Sequence, residues 1–219
     1  MAKFFYNPED PKTYERFRLP NSSFHRDKYA RMMRRIPRDS KQRVLEIGAG
    51  TGIYTKFLVK DFNTVVATDA DADMCRQTKI LVPEAEAQVA DACHLPFKDR
   101  SFDGVFGVSI LHHVPDRVQA FREVARVLKP GGWFAFCEPN ALNPFSLLVQ
   151  TYFREPALTF NGMRRDARKA GLFVSDGGEI LFRSPRVSPV TDRIPGWKFV
   201  ERAVELVHLG VSVYVSGRK

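Results

Sequence analysis

The chain has few cysteines and no long apolar run. Its three cysteines, Cys75, Cys93 and Cys137, are scattered, so the sequence predicts neither a disulfide framework nor a zinc site, and it fits a reducing compartment. No run of about 18 apolar residues occurs, which argues against a membrane-spanning helix. The opening residues MAKFFYNPEDPK lack the apolar segment of a secretory signal. We therefore expect a cytoplasmic protein. The sequence shows no metal-ligating cluster, so we expect no bound metal.

The positive charge of the chain lies in its two flanks. The 219 residues carry a net charge of +9, divided as +7 over residues 1–43, −3 over 44–138 and +5 over 139–219. A basic surface attracts anions such as a carboxylate or phosphate on a small molecule, a nucleic acid or an anionic membrane. Solvated helix faces explain the same charges equally well.

Strands and helices alternate along the middle of the chain. Short apolar runs indicate strands at 43–47, 64–68, near 87–90, at 102–109 and at 133–137, and helical patterns cover Thr51 to about Lys60, 72–81 and Pro115–Leu128. The flanks add a basic helix over 22–36, helices over 162–170 and 196–208, and strands over 172–182 and 211–217. Alternation of this kind predicts a parallel sheet covered by helices on both faces.

A glycine turn follows the first strand. The sequence is Glu46-Ile47-Gly48-Ala49-Gly50-Thr51-Gly52, and glycine lets a ligand approach the backbone closely because it has no Cβ. Ligands of open α/β sheets bind at this edge. The glycine spacing is not the G-x-G-x-x-G of dinucleotide binders, whose third glycine serves helix packing beside a pyrophosphate.

Two aspartates follow the next two strands, at the same edge of the predicted sheet. Asp69 lies nineteen residues after Gly50, where a carboxylate can accept hydrogen bonds from both ribose hydroxyls. Its alternative role is to cap the following helix, which Asp71 or Asp73 can also do. Asp91 is placed to accept a hydrogen bond from an exocyclic amine such as that of adenine, or else to cap a loop.

Four motifs in order resemble the class I S-adenosylmethionine-dependent methyltransferases: VLEIGAGTG, TDAD, ADACHLPFKDRSFDGVFGVSILHHV and VARVLKPGGWFAF. The resemblance is strongest over residues 40–138 and closest to the small-molecule branch that includes the ubiquinone and menaquinone methyltransferases. It implies a doubly wound, Rossmann-like, seven-stranded sheet, mostly parallel with an antiparallel last strand. It also implies one domain, with an N-terminal helical lid (1–40), a cofactor-binding core (41–138) and acceptor-side segments (139–219).

The resemblance assigns the cofactor contacts residue by residue. Glu46, Gly48, Ala49 and Gly50 match the turn that holds the methionyl end and the ribose of S-adenosylmethionine. Asp69 and Ala70 match the ribose and adenine contacts. The adenine pocket is matched by Asp91, Ala92 and Cys93, and the position beside the reacting methyl group by Ser109.

Candidates for acid–base chemistry and for acceptor binding lie near the same edge. His112 and His113 follow the fourth strand, and either is a candidate general base, although packing explains the pair as well. Glu138, which ends the fifth strand, is a candidate for orienting the acceptor, and a structural role explains it equally well. Tyr14 and His25 in the N-terminal lid are also candidates for contact with the acceptor. An anionic acceptor has further candidate ligands in Arg31, Arg34, Arg35, Arg164, Arg165 and Arg168.

These patterns leave four functions open. Methyl transfer to a small molecule, acidic or lipid-like, leads. RNA as the acceptor is second, because the flanks are basic, although the chain contains no recognisable RNA-binding module. A nicotinamide-dependent oxidoreductase is disfavoured by the glycine spacing, and a non-catalytic cofactor-binding protein by the complete set of motifs. No Asn-Pro-Pro-Tyr motif follows the fourth strand, which weakens the case for methylation of a nucleobase amine.

Overall fold

A seven-stranded sheet organises the part of the chain that the computed structural model describes, residues 23–143, 158–180, 195–196 and 212–219. The strands are β1 (Arg43–Ile47), β2 (Thr64–Asp69), β3 (Glu86–Val89), β4 (Phe102–Val108), β5 (Leu128–Pro139), β6 (Phe173–Ile180) and β7 (Ser212–Arg218). Their order is β3-β2-β1-β4-β5-β7-β6. The pairs among β1 to β5 are parallel, whereas β7 pairs antiparallel with both of its neighbours. This topology confirms the predicted mostly parallel sheet with an antiparallel last strand.

Helices cover both faces of the sheet. They are α1 (Ser23–Met32), α2 (Thr55–Asp61), α3 (Ala72–Leu81), α4 (Arg117–Val127) and α5 (Phe160–Lys169), with a 3₁₀ turn at Leu111–His113. On one face, α1 and α2 pack on alternate residues of the central strands, among them Phe106 and Trp133. On the other face, α4 and α5 pack on the intervening residues, including Phe134 and Phe136. No helix in the described ranges has the length and apolar character needed to cross a bilayer.

Some element boundaries differ from the sequence prediction. Helix α2 begins at Thr55 rather than Thr51, because Gly52 has a φ of +78° and residues 51–54 form a turn. Helix α5 begins at Phe160, two residues early, because the Thr159 side chain accepts a hydrogen bond from the Gly162 N–H. Strand β5 begins at Leu128, directly after α4. The predicted helix over 196–208 extends beyond the described residues, and Tyr14 lies outside them.

The loop that follows β3 is fastened to α4 by Arg126. Its guanidinium donates hydrogen bonds to the carbonyl oxygens of Leu95 and Phe97, at 2.9 and 2.7 Å, and to the carboxylates of Asp99 and Glu123. Glu123 in turn accepts a hydrogen bond from the Leu95 N–H at 2.8 Å. One arginine therefore fixes the path of the loop that begins at Asp91.

Arg126→Met is expected to lower the free energy of unfolding by about 2–3 kcal/mol, because hydrogen bonds between charged partners are lost and Glu123 keeps a buried charge without its cation. Arg122→Met is the matched control, since Arg122 lies on the same helix, is exposed and approaches Gln119 at 3.5 Å. Urea unfolding of both variants measures the difference. Equal stability of the two variants would contradict the anchoring role of Arg126.

Candidate active site at the carboxyl edge of the sheet

The carboxyl ends of β1, β2 and β4 bring the predicted cofactor residues together. The Ala49 N–H donates to the carbonyl of Thr68 at 2.9 Å, and the Ala90 N–H donates to the carbonyl of Asp69 at 2.9 Å. These bonds join the turns after β1 and β3 to the end of β2. Ser109 follows β4 with a φ of +56°, a conformation that is uncommon for residues other than glycine and that is found at functional sites.

The glycine turn has one crowded glycine and one open glycine. Gly48 has a φ of +72°, and a Cβ built there would lie 2.6 Å from Cβ of Ile110. Gly50 has a φ of +55°, but a Cβ there would meet no heavy atom of the described residues within 4 Å. Gly48 therefore allows the β1 and β4 turns to pack closely, whereas Gly50 presents bare backbone to open space. A flat or extended ligand fits against that backbone.

Asp69, at the end of β2, is hydrogen-bonded to the open glycine, Gly50. Its Oδ2 accepts a hydrogen bond from the Gly50 N–H at 2.8 Å, and its Oδ1 accepts one from the Asp71 N–H at 3.0 Å. Each carboxylate oxygen has a second lone pair for a ligand hydroxyl. Asp71 caps α3 by accepting from the Asp73 N–H, so the helix does not need Asp69 for that purpose.

The loop after β3 presents Asp91 at the surface. Its Oδ1 accepts a hydrogen bond from the Cys93 N–H at 2.8 Å, and its Oδ2 lies 3.1 Å from Nδ1 of His94. The backbone hydrogen bond from Cys93, followed by the contact with His94, lowers the pKa of Asp91. Ala92 is buried beside it, and Ala70 is exposed. The loop thus pairs an ionised carboxylate with a small apolar side chain.

Glu46 is buried directly beneath the glycine turn. Its Oε2 accepts a hydrogen bond from Oγ1 of Thr55 at 2.5 Å, and the side chain is only 2% exposed. Burial raises the pKa of Glu46 to about 8, with a smaller contribution from the charge of Asp69 and an opposing one from the Thr55 hydrogen bond. A glutamate with this pKa keeps its proton at neutral pH.

Glu46→Gln is expected to stabilise the protein increasingly as the pH rises from 5 to 8. A glutamate in the unfolded chain loses its proton near pH 4.3, whereas Glu46 in the folded protein keeps it up to about pH 8. Between these values the folded state binds more protons, so the free energy of unfolding of the parent protein falls as the pH rises, by up to about 1.4 kcal/mol per pH unit. Glutamine does not titrate and removes this loss.

Urea unfolding at several pH values compares the Glu46→Gln variant with the parent. The stability difference is expected to grow by a few kcal/mol over this interval. Glu86→Gln, at an exposed glutamate of β3, is the control for the change in net charge. A stability difference that stays constant from pH 5 to pH 8 would contradict the raised pKa of Glu46.

His112 and Glu138 form a buried pair beside the β4 turn. Nδ1 of His112 lies 2.6 Å from Oε2 of Glu138, and Glu138 Oε1 accepts hydrogen bonds from the Ile110 and Leu111 N–H groups at 2.9 and 2.8 Å. Glu138 has no exposed surface and His112 is 7% exposed. The sequence left Glu138 open between orienting the acceptor and a structural role, and in the structure its carboxylate contacts His112 and the backbone of the β4 turn. His113 is exposed, with its ring centroid 3.9 Å from that of His112.

An aromatic group on α1 and α2 covers the Glu46 side of the edge. Nδ1 of His25 lies 3.1 Å from Oη of Tyr54, and the two rings meet edge to face. Tyr54 also contacts Phe57 and Phe106. Burial, and secondarily the charge of Lys28, lowers the pKa of His25 to about 4, so this histidine is neutral at pH 7. Burial raises the pKa of Tyr54, so its hydroxyl stays protonated.

The arginines predicted to bind an anionic acceptor do not gather at this edge. Arg34 and Arg35, which follow α1, both approach Oδ2 of Asp176, at 3.5 and 3.6 Å, and so link the segment after α1 to β6. Arg164, Arg165 and Arg168 lie on α5, on the opposite face of the sheet from α1. Together with Asn161 and Lys169 they line an open cleft of about 550 Å³. Within the described residues, Arg34 and Arg35 therefore lie apart from the arginines of α5.

Several residues of the site carried no sequence signal of their own. Thr55 binds Glu46, Thr78 Oγ1 donates to the carbonyl of Gly50 at 2.9 Å, and Ile110 packs on Gly48. Each is an ordinary residue for its element, and only the folded arrangement gives it a role. Tyr54, which contacts His25, was likewise not predicted.

Comparison with known proteins agrees with this geometry. The family model described as a methyltransferase domain matches residues 45–136, which contain the glycine turn, Asp69, Asp91 and Ser109. The chain is 39% identical over 101 residues to a 2-methyl-6-phytyl-1,4-hydroquinone methyltransferase of Synechocystis sp., a match that covers 44% of this chain and 32% of that protein. It is 37% identical over 118 residues to a demethylmenaquinone methyltransferase of Lactiplantibacillus plantarum, covering 49% of each. The match thus spans about a third to a half of these curated relatives.

A solved structure resembles the chain over almost its whole length. A SAM-dependent methyltransferase of Thermotoga maritima, described as a possible histamine N-methyltransferase, superposes with a TM-score of 0.75 at 20% identity, over 97% of each chain. At this identity the likeness concerns the fold. The chain therefore shares the fold of that protein.

Proposed function

We propose that this chain binds S-adenosylmethionine at the carboxyl edge of its sheet and transfers the methyl group to a small-molecule acceptor, because residues 45–136 match the family model described as a methyltransferase domain and the relatives matched there are methyltransferases. One observation carries the proposal. The backbone of Gly50 is open on its ligand side within the described part of the chain, and its N–H is held by the carboxylate of Asp69. A side-chain-free turn beside an acceptor-only carboxylate suits a nucleoside with an extended tail.

Each part of the cofactor has matching residues at this edge. Asp69 accepts hydrogen bonds from the ribose hydroxyls through the lone pairs that its backbone contacts leave open. Gly48, Ala49 and Gly50 lie along the methionyl side, above Glu46. The adenine is held by Asp91, Ala92 and Cys93 in the loop after β3. Ala70, the exposed residue after Asp69, also contacts it. Ser109 lies beside the reacting end.

The chain itself supplies alignment and shielding from water. The bound cofactor contributes a methyl group on a positively charged sulfur, which is already activated for displacement. Holding the acceptor atom in line with that methyl group accounts for most of the rate acceleration that the protein must supply. Tyr54 and Phe57, which are partly exposed, offer ring faces that attract a cation. His25 reaches the same group from α1.

The acceptor is a small molecule in this proposal. The names of the matched proteins refer to hydroquinone and menaquinone substrates, and the edge of the sheet holds a histidine–glutamate pair suited to a hydroxyl or amine acceptor. RNA is the second candidate, because Arg164, Arg165 and Arg168 line an open cleft on α5. Phosphate groups of RNA suit such a surface, which lies on a different face from α1.

Calorimetric titration and a methyl-transfer screen test the proposal. S-adenosylhomocysteine is expected to bind with a stoichiometry of one, whereas NADH is expected not to bind. Transfer of a labelled methyl group is then measured with hydroquinones, acidic small molecules, amines, lipids and RNA. Incorporation into a small molecule supports the proposal, and incorporation into RNA alone supports the second candidate. Binding of NADH in preference to S-adenosylhomocysteine would overturn both.

A further inference from the structure

We propose that Glu138 is a positioning residue that fixes His112 as the general base of this site, and that the acceptor therefore carries a dissociable proton on its nucleophilic oxygen or nitrogen. This inference rests on the proposed function and extends it to the class of acceptor. It arises from one geometric unit. A carboxylate without exposed surface holds both the imidazole of His112 and the backbone of the turn after β4.

The hydrogen bonds of Glu138 determine which nitrogen of His112 carries the proton. A carboxylate has only acceptor sites. The ring nitrogen that faces it, Nδ1 at 2.6 Å from Oε2, must therefore be the protonated one. In the neutral imidazole, Nε2 is then the acceptor. The other carboxylate oxygen, Oε1, is fixed by the Ile110 and Leu111 N–H groups, so the pair has little freedom to rearrange.

The same unit lies beside the glycine turn. Ile110, whose N–H binds Glu138, packs against Gly48, and Ser109 follows the end of β4 in its left-handed conformation. Glu138 therefore connects the end of β5, the turn after β4 and the turn after β1. A base that is held in this way keeps its place relative to the cofactor turn, as catalysis by proton transfer requires.

A general base at this position accelerates the reaction only when the acceptor must lose a proton. His112 Nε2 takes the proton from the acceptor O–H or N–H, and the lone pair released on that atom forms the new bond to the methyl carbon. The carbon–sulfur bonding pair stays on sulfur, which becomes a neutral thioether. The imidazolium, stabilised by the Glu138 carboxylate, returns its proton to water. A thioether or halide nucleophile, which carries no such proton, needs no base.

His113 differs from His112 in its surroundings. Its side chain is exposed, and its ring centroid lies 3.9 Å from that of His112. The carboxylate of Glu138 points to Nδ1 of His112, which is buried. The two adjacent histidines thus offer a matched comparison between a buried ring held by Glu138 and an exposed ring next to it.

The tautomer of His112 is the first test, and it needs no acceptor. Two-bond ¹H–¹⁵N spectra of ¹⁵N-labelled protein with S-adenosylhomocysteine are recorded for the parent, for Glu138→Gln and for His112→Asn, whose missing signals assign His112. We expect the Nδ1-protonated form in the parent. We expect the Nε2-protonated form in the Glu138→Gln variant, because the side-chain amide donates to Nδ1 while its oxygen still accepts from the backbone amides. An Nε2-protonated parent would overturn the inference.

Methyl transfer is the second test, with the acceptor that the screen identifies. Glu138→Gln and His112→Asn are expected to lower kcat by about 100-fold or more, as for loss of a general base, without changing the affinity for S-adenosylhomocysteine. His113→Asn is expected to change kcat less than about threefold. The double variant with Glu138→Gln and His112→Asn is expected to lose no more than His112→Asn alone, because Glu138 acts through His112.

The outcomes separate this inference from the proposed function. Failure of the parent protein to bind S-adenosylhomocysteine would sink the proposed function. Full activity of His112→Asn on an acceptor with a dissociable proton would sink only the inference. Additive losses in the double variant would show that Glu138 acts on the fold of the β4 turn instead, which also overturns it. Urea unfolding of each variant checks that the fold persists.

Discussion

Asp69→Ala is expected to lower the affinity for S-adenosylhomocysteine by about 100- to 10,000-fold. Two charge-assisted hydrogen bonds to the ribose are lost, each worth about 1.5–3 kcal/mol, and about 1.4 kcal/mol corresponds to a factor of ten in affinity. The variant also loses the bonds that Asp69 accepts from the Gly50 and Asp71 N–H groups. Isothermal calorimetry measures the affinity, and urea unfolding is expected to show a stability loss of no more than about 1–2 kcal/mol.

Asp71→Ala is the matched control for this variant. Asp71 lies two residues further on, carries the same charge and accepts a hydrogen bond from the Asp73 N–H as the cap of α3. Its loss is expected to cost about 1 kcal/mol of stability and to leave the affinity within about threefold of the parent. Equal affinity of the Asp69→Ala and Asp71→Ala variants for S-adenosylhomocysteine would show that Asp69 does not bind the ribose.

Gly50→Val is expected to abolish measurable binding of S-adenosylhomocysteine. The valine side chain would project into the open space in front of the turn, where no atom of the described ranges lies within 4 Å of the added Cβ, and a ligand against that backbone would meet it. The positive φ of +55° at this position adds a cost of about 1–2 kcal/mol in stability, because a β-branched residue is strained there. Affinity and stability must therefore be measured together.

Gly131→Val separates the two effects. Gly131 also has a positive φ, +76°, and a Cβ added to it would likewise have no heavy atom of the described chain within 4 Å, but it lies near the start of β5, away from the carboxyl edge. This variant is expected to carry the same backbone strain with unchanged affinity. If Gly50→Val bound S-adenosylhomocysteine as tightly as Gly131→Val, the ligand would not lie on the glycine turn.

The parts of the site that the sequence reveals are those set by local geometry. The glycines and Asp69 follow strands directly, so strand order alone brings them to one edge. Gly50 and Asp69 are indeed in hydrogen-bonding contact, although nineteen residues separate them. Short apolar runs and turn residues predicted the parallel sheet, whereas its antiparallel last strand was implied by the family resemblance.

The parts that the sequence does not reveal depend on side-chain packing between distant elements. Glu138 and His112 are 26 residues apart, and their contact requires the register of β4 and β5 together with a tight turn after β4. Glu138 looked equally suited to contact the acceptor. The sequence does not distinguish the arginines that follow α1 from those of α5. Packing directs Arg34 and Arg35 to Asp176 and leaves the α5 arginines on the other face of the sheet.

Strand β7 has a consequence for how the protein is made. It lies between β5 and β6 in the sheet, although it follows β6 in the chain by more than thirty residues. While the chain emerges from the ribosome, the outer edge of β5 has no partner until residues 212–218 appear, and an unpaired strand edge invites association with other chains. Val213 pairs with Glu138. The buried glutamate therefore obtains this backbone neighbour only after residues 212–218 have been made.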